Sequence, residues 1–241
     1  MKNLKQGIAL LGFLFSTQLI FAHTINYALE GKPFGYVFSY YVKLGFEHII
    51  PNGFDHILFI VSLYLLSPKL KNVLLQATAF TVAHTLTLIL SMKSIIIAPP
   101  AIVEPIIALS ICFVALENIF SVSDFGFRIS DARDFSEIRN PKPEISKWRI
   151  ALVFMFGLVH GMGFASSLNE IGLPPNAFLS SLITFNVGVE LGQVAIILLC
   201  YALFGRWFSE KVWYHKRLVI PMSVCIALIA GFWTIQRLVI S

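Results

Sequence analysis

Charged residues are scarce in this chain. They make up 13% of its 241 residues, about half the share found in a soluble domain. Because 57% of the residues are hydrophobic, the chain lacks the polar surface that even one ordinary soluble domain needs. The composition therefore excludes a soluble globular protein, and it also excludes a disordered chain, which is poor in apolar residues. It predicts an all-α polytopic membrane protein.

Cysteine is scarce as well. The only three are Cys112, Cys200 and Cys225, and no two of them have a CxxC spacing. A disulfide scaffold and a thiolate metal site are therefore both disfavoured. The sequence also contains no low-complexity tract and no clear internal repeat, so it does not suggest a solenoid or a linker between domains.

The net charge of +5 does not indicate a nucleic-acid partner. Membrane proteins concentrate Lys and Arg in their cytoplasmic loops, and this pattern explains the basic character here. The expected partner is the lipid bilayer.

The first 22 residues have the pattern of a secretory signal peptide. Lys2 and Lys5 precede an apolar run, and Ala22 provides a small residue at the cleavage point. We expect cleavage there, which would leave His23 at the start of a single transmembrane domain, residues 23–241. The precursor would then contain seven hydrophobic segments.

Six membrane spans are predicted after the signal peptide. The first is short and follows Pro51-Asn52-Gly53, which breaks any helix that arrives from residues 36–50. We therefore expect residues 36–50 to be interfacial or re-entrant, with other parts of the protein covering the broken backbone. The predicted spans are 53–67, 73–92, 101–120, 150–170, 178–203 and 218–238.

The distribution of positive charge predicts the orientation. Twelve Lys and Arg residues fall in the segments 68–72, 121–149 and 204–217, and four fall in the remaining parts of the mature chain. The positive-inside tendency then makes 121–149 a cytoplasmic loop. We expect an integral protein of the inner cell membrane with both mature termini outside.

Several polar side chains lie within the predicted spans, where an unpaired ionisable group costs several kcal/mol. Their depths, at about 1.5 Å per residue, fall mainly in the middle and outer half of the membrane. The candidate metal ligands are His48, Asp55, His56, His84, His160 and Glu190. A secondary polar path would include Glu117, Asn118, Asn186 and Gln193.

Two glycine pairs flank candidate ligands. Gly157 and Gly161 bracket His160, and Gly188 and Gly192 bracket Glu190. Small residues at this spacing allow helices to approach closely. If these two helices pack against each other, His160 and Glu190 would line one crevice.

Structural roles remain open for each of these residues. A single membrane histidine is often only hydrogen-bonded, Asn186 and Gln193 could tie helices together, and Glu117 could pair with a loop arginine. Glu104 has the position of a solvated acid at a helix end. The structural interpretation explains poorly why three histidines and two carboxylates occur at similar depths on four helices.

Imidazole and carboxylate together suit nickel, cobalt, zinc, copper(II) or iron, and the lack of thiolates disfavours copper(I). Ligands spread along a path would provide successive weak stations for a transported ion. Asp55 could be a ligand itself or could orient the neighbouring imidazole of His56. The pattern favours a permease for a divalent metal, with no organic cofactor and no catalytic residues.

The sequence resembles the HupE/UreJ family of hydrogenase and urease accessory proteins, and more specifically its variant second branch. The resemblance covers most of the mature chain and is carried by the strings HIIPNGFDH, VAHTLTL, ALENIF, VHGMGFA and FNVGVELGQ. It implies a nickel or cobalt permease with six spans. It also implies metal-site roles for Asp55, His56, His84, His160 and Glu190.

Two other functions remain open at this stage. A zinc-dependent intramembrane hydrolase, similar to alkaline ceramidases, could use Asp55, His56, His84 and His160 to hold zinc, together with Ser166 or Ser167. A metal sensor or assembly factor is the other alternative, although the chain offers no dedicated soluble domain for it. The sequence leaves the choice of metal open, and a homo-oligomer is possible.

Overall fold

The computed structural model describes residues 29, 32–131, 147–171, 173–174, 177–209, 211 and 213–240. The regular secondary structure in these ranges is helical throughout, which confirms the predicted all-α class. The expected signal peptide 1–22 and His23 lie outside the described residues.

Seven helices organise the described ranges. A π-helical turn, Tyr201–Gly205, extends the sixth helix toward Phe208, and a second, His215–Val219, leads into the seventh. The helices are α1 (Phe34–Ile49), α2 (Phe54–Leu66), α3 (Leu70–Met92), α4 (Pro100–Asp131), α5 (Lys147–Ile171), α6 (Phe178–Cys200) and α7 (Ile220–Ile240).

Five helical segments are long and apolar enough to cross a membrane, and each coincides with a predicted span. They are Leu70–Met92, Pro100–Phe120, Lys147–Ile171, Phe178–Phe208 and His215–Val239. Their outward faces remain apolar: on α7, Leu228, Phe232 and Ile235 are 68%, 65% and 64% exposed. Such surfaces belong in lipid, and the chain is an integral membrane protein.

A sixth crossing needs α1 and α2 together. Helix α2 corresponds to the predicted span 53–67 but has 13 residues, or about 20 Å, against a hydrocarbon core of about 30 Å. The two helices form a pair bent by 69°. The bend falls at Pro51-Asn52-Gly53, and the Ile50–Pro51 peptide bond is cis.

Helix α2 lies inside the bundle and is contacted by α1, α3, α4, α6 and α7. Most of its side chains are buried, including Phe59, Leu63 and Tyr64. At the break itself Gly53 is buried, whereas Pro51, Asn52 and Phe54 are exposed, so protein covers only part of the broken backbone.

The main helix pairs are α3 with α5, α4 with α7, and α1 with α6. The two glycine pairs serve different contacts. A Cβ at Gly157 would lie 2.5 Å from the Phe80 carbonyl oxygen on α3, whereas one at Gly192 would lie 2.7 Å from Ile49 Cβ on α1. The glycines of α5 and α6 therefore pack against other helices and not against each other. The crevice that His160 and Glu190 would line if α5 and α6 packed together is not formed.

Helix α4 continues past residue 120 to Asp131, and α5 begins at Lys147. Helical structure thus occupies both edges of the predicted loop 121–149. The centre of that loop, 132–146, lies outside the described residues.

Candidate metal centre

Four histidines from four helices converge at one end of the bundle. His48 lies in the last turn of α1, His56 in the first turn of α2, His84 in α3 and His160 in α5. The ring centres of His48 and His56 are 4.8 Å apart, and those of His56 and His160 are 5.3 Å apart. His84 is 6.1 Å from His56 and 6.2 Å from His48. We call these four residues the histidine cluster.

The break between α1 and α2 brings the first two members together. The Gly53 amide donates to the Ile49 carbonyl at 3.2 Å, which folds the chain back on the end of α1. A Cβ at Gly53 would collide with the His48 carbonyl oxygen, so this close approach requires glycine. A short segment of sequence thereby places His48 beside His56.

The close pairing of α3 with α5 brings the other two members together. A Cβ at Gly161 would collide with the His84 carbonyl oxygen and the Thr87 hydroxyl. His160 precedes this glycine, and its ring centre lies 4.8 Å from that of Phe80, one turn before His84 on α3. His84 and His160 are 0% and 2% exposed.

Five imidazole nitrogens of the cluster are buried without hydrogen-bond partners among the described residues. These atoms are Nε2 of His48, His56 and His160 and both ring nitrogens of His84. Buried polar atoms are normally satisfied, and leaving one unpaired costs about 1–3 kcal/mol. Five such atoms around one point are unusual for a purely structural cluster.

Two histidines have a defined tautomer. Asp55 Oδ1 lies 3.0 Å from His56 Nδ1 and also accepts the His56 amide at 2.9 Å. The Phe156 carbonyl oxygen lies 2.9 Å from His160 Nδ1. Because an ionised carboxylate and a carbonyl only accept, each Nδ1 carries the hydrogen. The Nε2 atoms of His56 and His160 therefore present lone pairs to the cluster, and Asp55 orients an imidazole as metal-site carboxylates do.

The ring spacing is close to that of shared coordination. Two imidazoles bound to one metal ion at about 2.1 Å per nitrogen have ring centres about 5 Å apart. Within the described ranges, no group of three or more His, Cys, Asp or Glu side chains is placed so that it could hold a metal ion as it stands. The cluster thus has the donors and the approximate spacing, but its rings must rotate to share one ion.

Aromatic side chains surround the cluster. Phe164 lies 3.8 Å from His48 between ring centres, and Phe80 lies 4.8 Å from His160. Phe185 stacks on Phe164 with ring centres 5.3 Å apart. These apolar rings lower the local dielectric constant around the cluster, which strengthens any charge interaction there.

A cavity of about 220 Å³ opens beside the cluster. Three members of the cluster and Asp55 line it, and two charged residues that the sequence analysis did not assign to a site, Glu104 of α4 and Arg237 of α7, complete the wall. The lining residues are His48, Asp55, His56, Glu104, Ile107, His160, Gly163, Phe164 and Arg237. No local motif around Glu104 or Arg237 reveals this position; the pairing of α4 with α7 creates it.

Glu190 and Gln193 lie farther along the bundle. Thr78 donates to Glu190 Oε1 at 2.6 Å, and Thr81 donates to Gln193 Oε1 at 3.2 Å. Thr78 precedes His84 by six residues, or about 9 Å along α3. Asn186 donates to the Leu182 carbonyl of its own helix at 2.8 Å. Glu190 as a metal ligand therefore remains a prediction, at a level of the bundle separate from the cluster.

Glu117 forms an ion pair, whereas Asn118 forms a hydrogen bond to the backbone of another helix. Glu117 pairs with Arg149 at 2.9 Å, and Arg149 also donates to Gln76 Oε1 at 2.9 Å. Glu117 is expected from the sequence to pair with an arginine of the loop. Its partner, Arg149, lies within α5 and is 5% exposed. Asn118 donates to the Ser62 carbonyl oxygen at 2.8 Å.

The two serines considered for a hydrolase, Ser166 and Ser167, are exposed. They are not among the residues that line the cavity.

Comparison with known proteins identifies the family. No curated protein and no solved structure matches the chain. A sequence model of the family described as HupE / UreJ protein matches residues 26–237, a range that contains every helix described above except the last residues of α7. The chain therefore belongs to the HupE/UreJ family.

Proposed function

We propose that the protein is a permease for a divalent transition metal, with nickel or cobalt as the substrate and the histidine cluster as a binding station in the path. The observation that carries this proposal is the convergence of four imidazoles, each with at least one buried nitrogen that has no hydrogen-bond partner among the described residues. Neutral imidazole nitrogen is a preferred ligand of nickel, cobalt and zinc.

The incomplete geometry of the cluster favours transport over storage. A permease must release its ion, so each station has to bind weakly or transiently. Ring-centre distances between 4.8 and 6.2 Å allow two imidazoles to share an ion at once, while a third must move closer.

Polar groups continue beyond the cluster along α3. The contacts of Thr81 with Gln193, Thr78 with Glu190 and Gln76 with Arg149 follow one another toward the start of this helix. We infer that they provide the remainder of the path. In the orientation predicted from positive charge, the cluster faces outside and the Glu117–Arg149 pair lies near the cytoplasm.

Reconstituted protein tests this function directly. Liposomes containing the wild-type protein should accumulate nickel or cobalt, and His56→Ala and His160→Ala variants should reduce the initial rate about tenfold or more, since even loss of a residue that only orients a ligand costs about 10-fold to 100-fold. His215→Ala is the matched control, since His215 lies at the opposite end of the bundle and should leave the rate unchanged.

The same preparations distinguish the alternatives. Zinc flux measured in parallel identifies the preferred metal, and hydrolysis of a lipid amide tests the enzyme interpretation. Equal metal accumulation in empty liposomes and in liposomes with wild-type protein would contradict the permease proposal.

A further inference from the structure

We propose that Glu104 and Arg237 form an electrostatic filter at the mouth of the histidine cavity, through which a hydrated divalent cation reaches the cluster. In this filter the Glu104 carboxylate attracts the ion and the Arg237 guanidinium opposes it. The inference rests on the proposed function and adds the chemical state of the arriving substrate, an ion that retains its water shell.

The size of the cavity carries the first step. Its volume of about 220 Å³ corresponds to about seven waters at about 30 Å³ each. A bare metal ion is far smaller, whereas a divalent ion with six waters fills such a space. The cavity is therefore a compartment in which a hydrated ion exchanges water for imidazole nitrogen.

The position of Arg237 carries the second step. Its Nη1 donates to the Glu104 backbone carbonyl at 3.0 Å, and its guanidinium lies 5.8 Å from the centre of the Trp233 ring. These contacts hold a positive charge on the wall that also carries His56 and His160. The hydrogen bond leaves the Glu104 carboxylate, which is exposed, available to an ion.

A fixed positive charge beside a cation site has a definite electrostatic effect. Within a cleft of low dielectric constant, a single charge changes the local concentration and the association rate of a charged substrate severalfold. Glu104 should raise both for a divalent cation, and Arg237 should lower both. Because the two effects oppose each other, the balance between the two charges sets how readily the ion enters the cavity and how tightly it is held there.

Cobalt(II) binding to the purified full-length protein, followed by absorbance at equilibrium and by stopped flow, tests the filter. We expect Glu104→Gln to weaken binding and slow association about threefold to tenfold, and Arg237→Gln to do the opposite by a similar factor. Arg237→Lys should behave like wild type, since it keeps the charge. The association rate should fall less steeply with ionic strength in Glu104→Gln and more steeply in Arg237→Gln, because salt screens a weaker net attraction in the first variant and a stronger one in the second.

Two charges at exposed positions provide matched controls. Glu170 at the end of α5 is exposed, and Lys93 Nζ lies 4.2 Å from the centre of the Phe178 ring; neither lines the cavity. Glu170→Gln and Lys93→Gln should leave binding unchanged. If Arg237→Gln fails to fold, Glu104→Gln remains decisive, because the backbone carbonyl that Arg237 contacts is kept.

The outcomes separate this inference from the proposed function. Binding that responds to Glu104 and Arg237 with opposite sign supports the filter even if liposomes show no flux, in which case only the permease proposal fails. Binding or flux in wild type with unchanged affinity in both Gln variants overturns the filter alone. Absence of cobalt and nickel binding in the wild-type protein overturns both.

Discussion

At the scale of single residues, the decisive feature is how Asp55 and Phe156 fix two imidazole rings. Each accepts a hydrogen bond from a histidine Nδ1, so each Nε2 keeps its lone pair for the cluster. A neutral histidine without such a partner can offer the lone pair of either ring nitrogen to a metal ion. The orientation of His56 and His160 is thus set by acceptors that have no need to touch the ion.

Asp55→Asn should therefore weaken metal binding while the fold is retained. The amide oxygen still accepts a hydrogen bond but lacks the charge that raises the basicity of His56, and loss of such a partner costs about 10-fold to 100-fold in affinity. Cobalt(II) titration of the purified variant measures the effect. Glu47→Gln is the control, since Glu47 pairs with Lys43 at 3.7 Å on the outer surface of α1; an equal loss in both variants would contradict the orienting role.

Physical chemistry explains which residues of the site can be recognised in the sequence and which cannot. Histidine within an apolar segment is costly to bury, so His48, His56, His84 and His160 stand out in the sequence. The same reasoning overlooks Glu104 and Arg237, because charges near helix ends have an ordinary explanation in solvent. Their position in the cavity wall depends on the α4–α7 pairing, which no local pattern encodes.

At the scale of helices, glycine contacts determine which candidate ligands meet. The α5 glycines face α3 and the α6 glycines face α1, so His160 joins His84 while Glu190 is left at another level. A GxxxG motif indicates that a helix packs closely against another, but it does not identify the partner. Any helix that lets its backbone be approached closely can fill that role. The span boundaries are more predictable, because they depend on hydropathy and length alone.

Gly161→Ala should disturb both stability and metal binding. The added methyl group would collide with the His84 carbonyl oxygen and the Thr87 hydroxyl, and overpacking of this kind costs about 1–3 kcal/mol. A lower unfolding midpoint in detergent, accompanied by weaker cobalt binding, is the expected result. Gly231→Ala on α7, where a Cβ meets nothing within 4 Å, should change neither; similar effects at both glycines would contradict the packing argument.

The Glu117–Arg149 pair should behave as a structural tie between α4 and α5. Arg149→Met should lower the free energy of unfolding by about 3 kcal/mol, the lower end of the range for a broken buried pair, because Glu117 is left without its cation. The Glu117 side chain is 32% exposed, which moderates the loss. The double variant Arg149→Met/Glu117→Leu should recover most of the stability, as measured by denaturant unfolding. A double variant less stable than the single one would contradict this role.

At the scale of the whole molecule, the polar cavity and a set of basic residues occupy opposite ends of the helical bundle. The cavity lies at the end of the bundle where α2 and α4 begin and α7 ends, and the basic residues Lys69, Lys147 and Arg206 lie at the other end. The sequence predicts this separation, since positive charge follows the cytoplasmic side. It does not predict that α2 needs α1 to reach the length of a crossing, because a short apolar run resembles a short span.

Reporter fusions should confirm the orientation. A reporter active only outside the cytoplasm should be active when fused after Ser241, and a reporter active only in the cytoplasm should be active when inserted within residues 132–146. Activity of both reporters in the opposite positions would place the cavity on the cytoplasmic side. The direction of metal movement through the cluster would then need to be reversed.

The bend between α1 and α2 divides the cluster into two mechanically different halves. His84 and His160 sit on helices in backbone contact through Gly157 and Gly161, so their separation is set by packing. His48 and His56 are joined across a 69° angle by a few residues that belong to neither helix. The spacing of His48 and His56 therefore depends on one bend angle, whereas the helices that carry His84 and His160 are positioned by contact along their length.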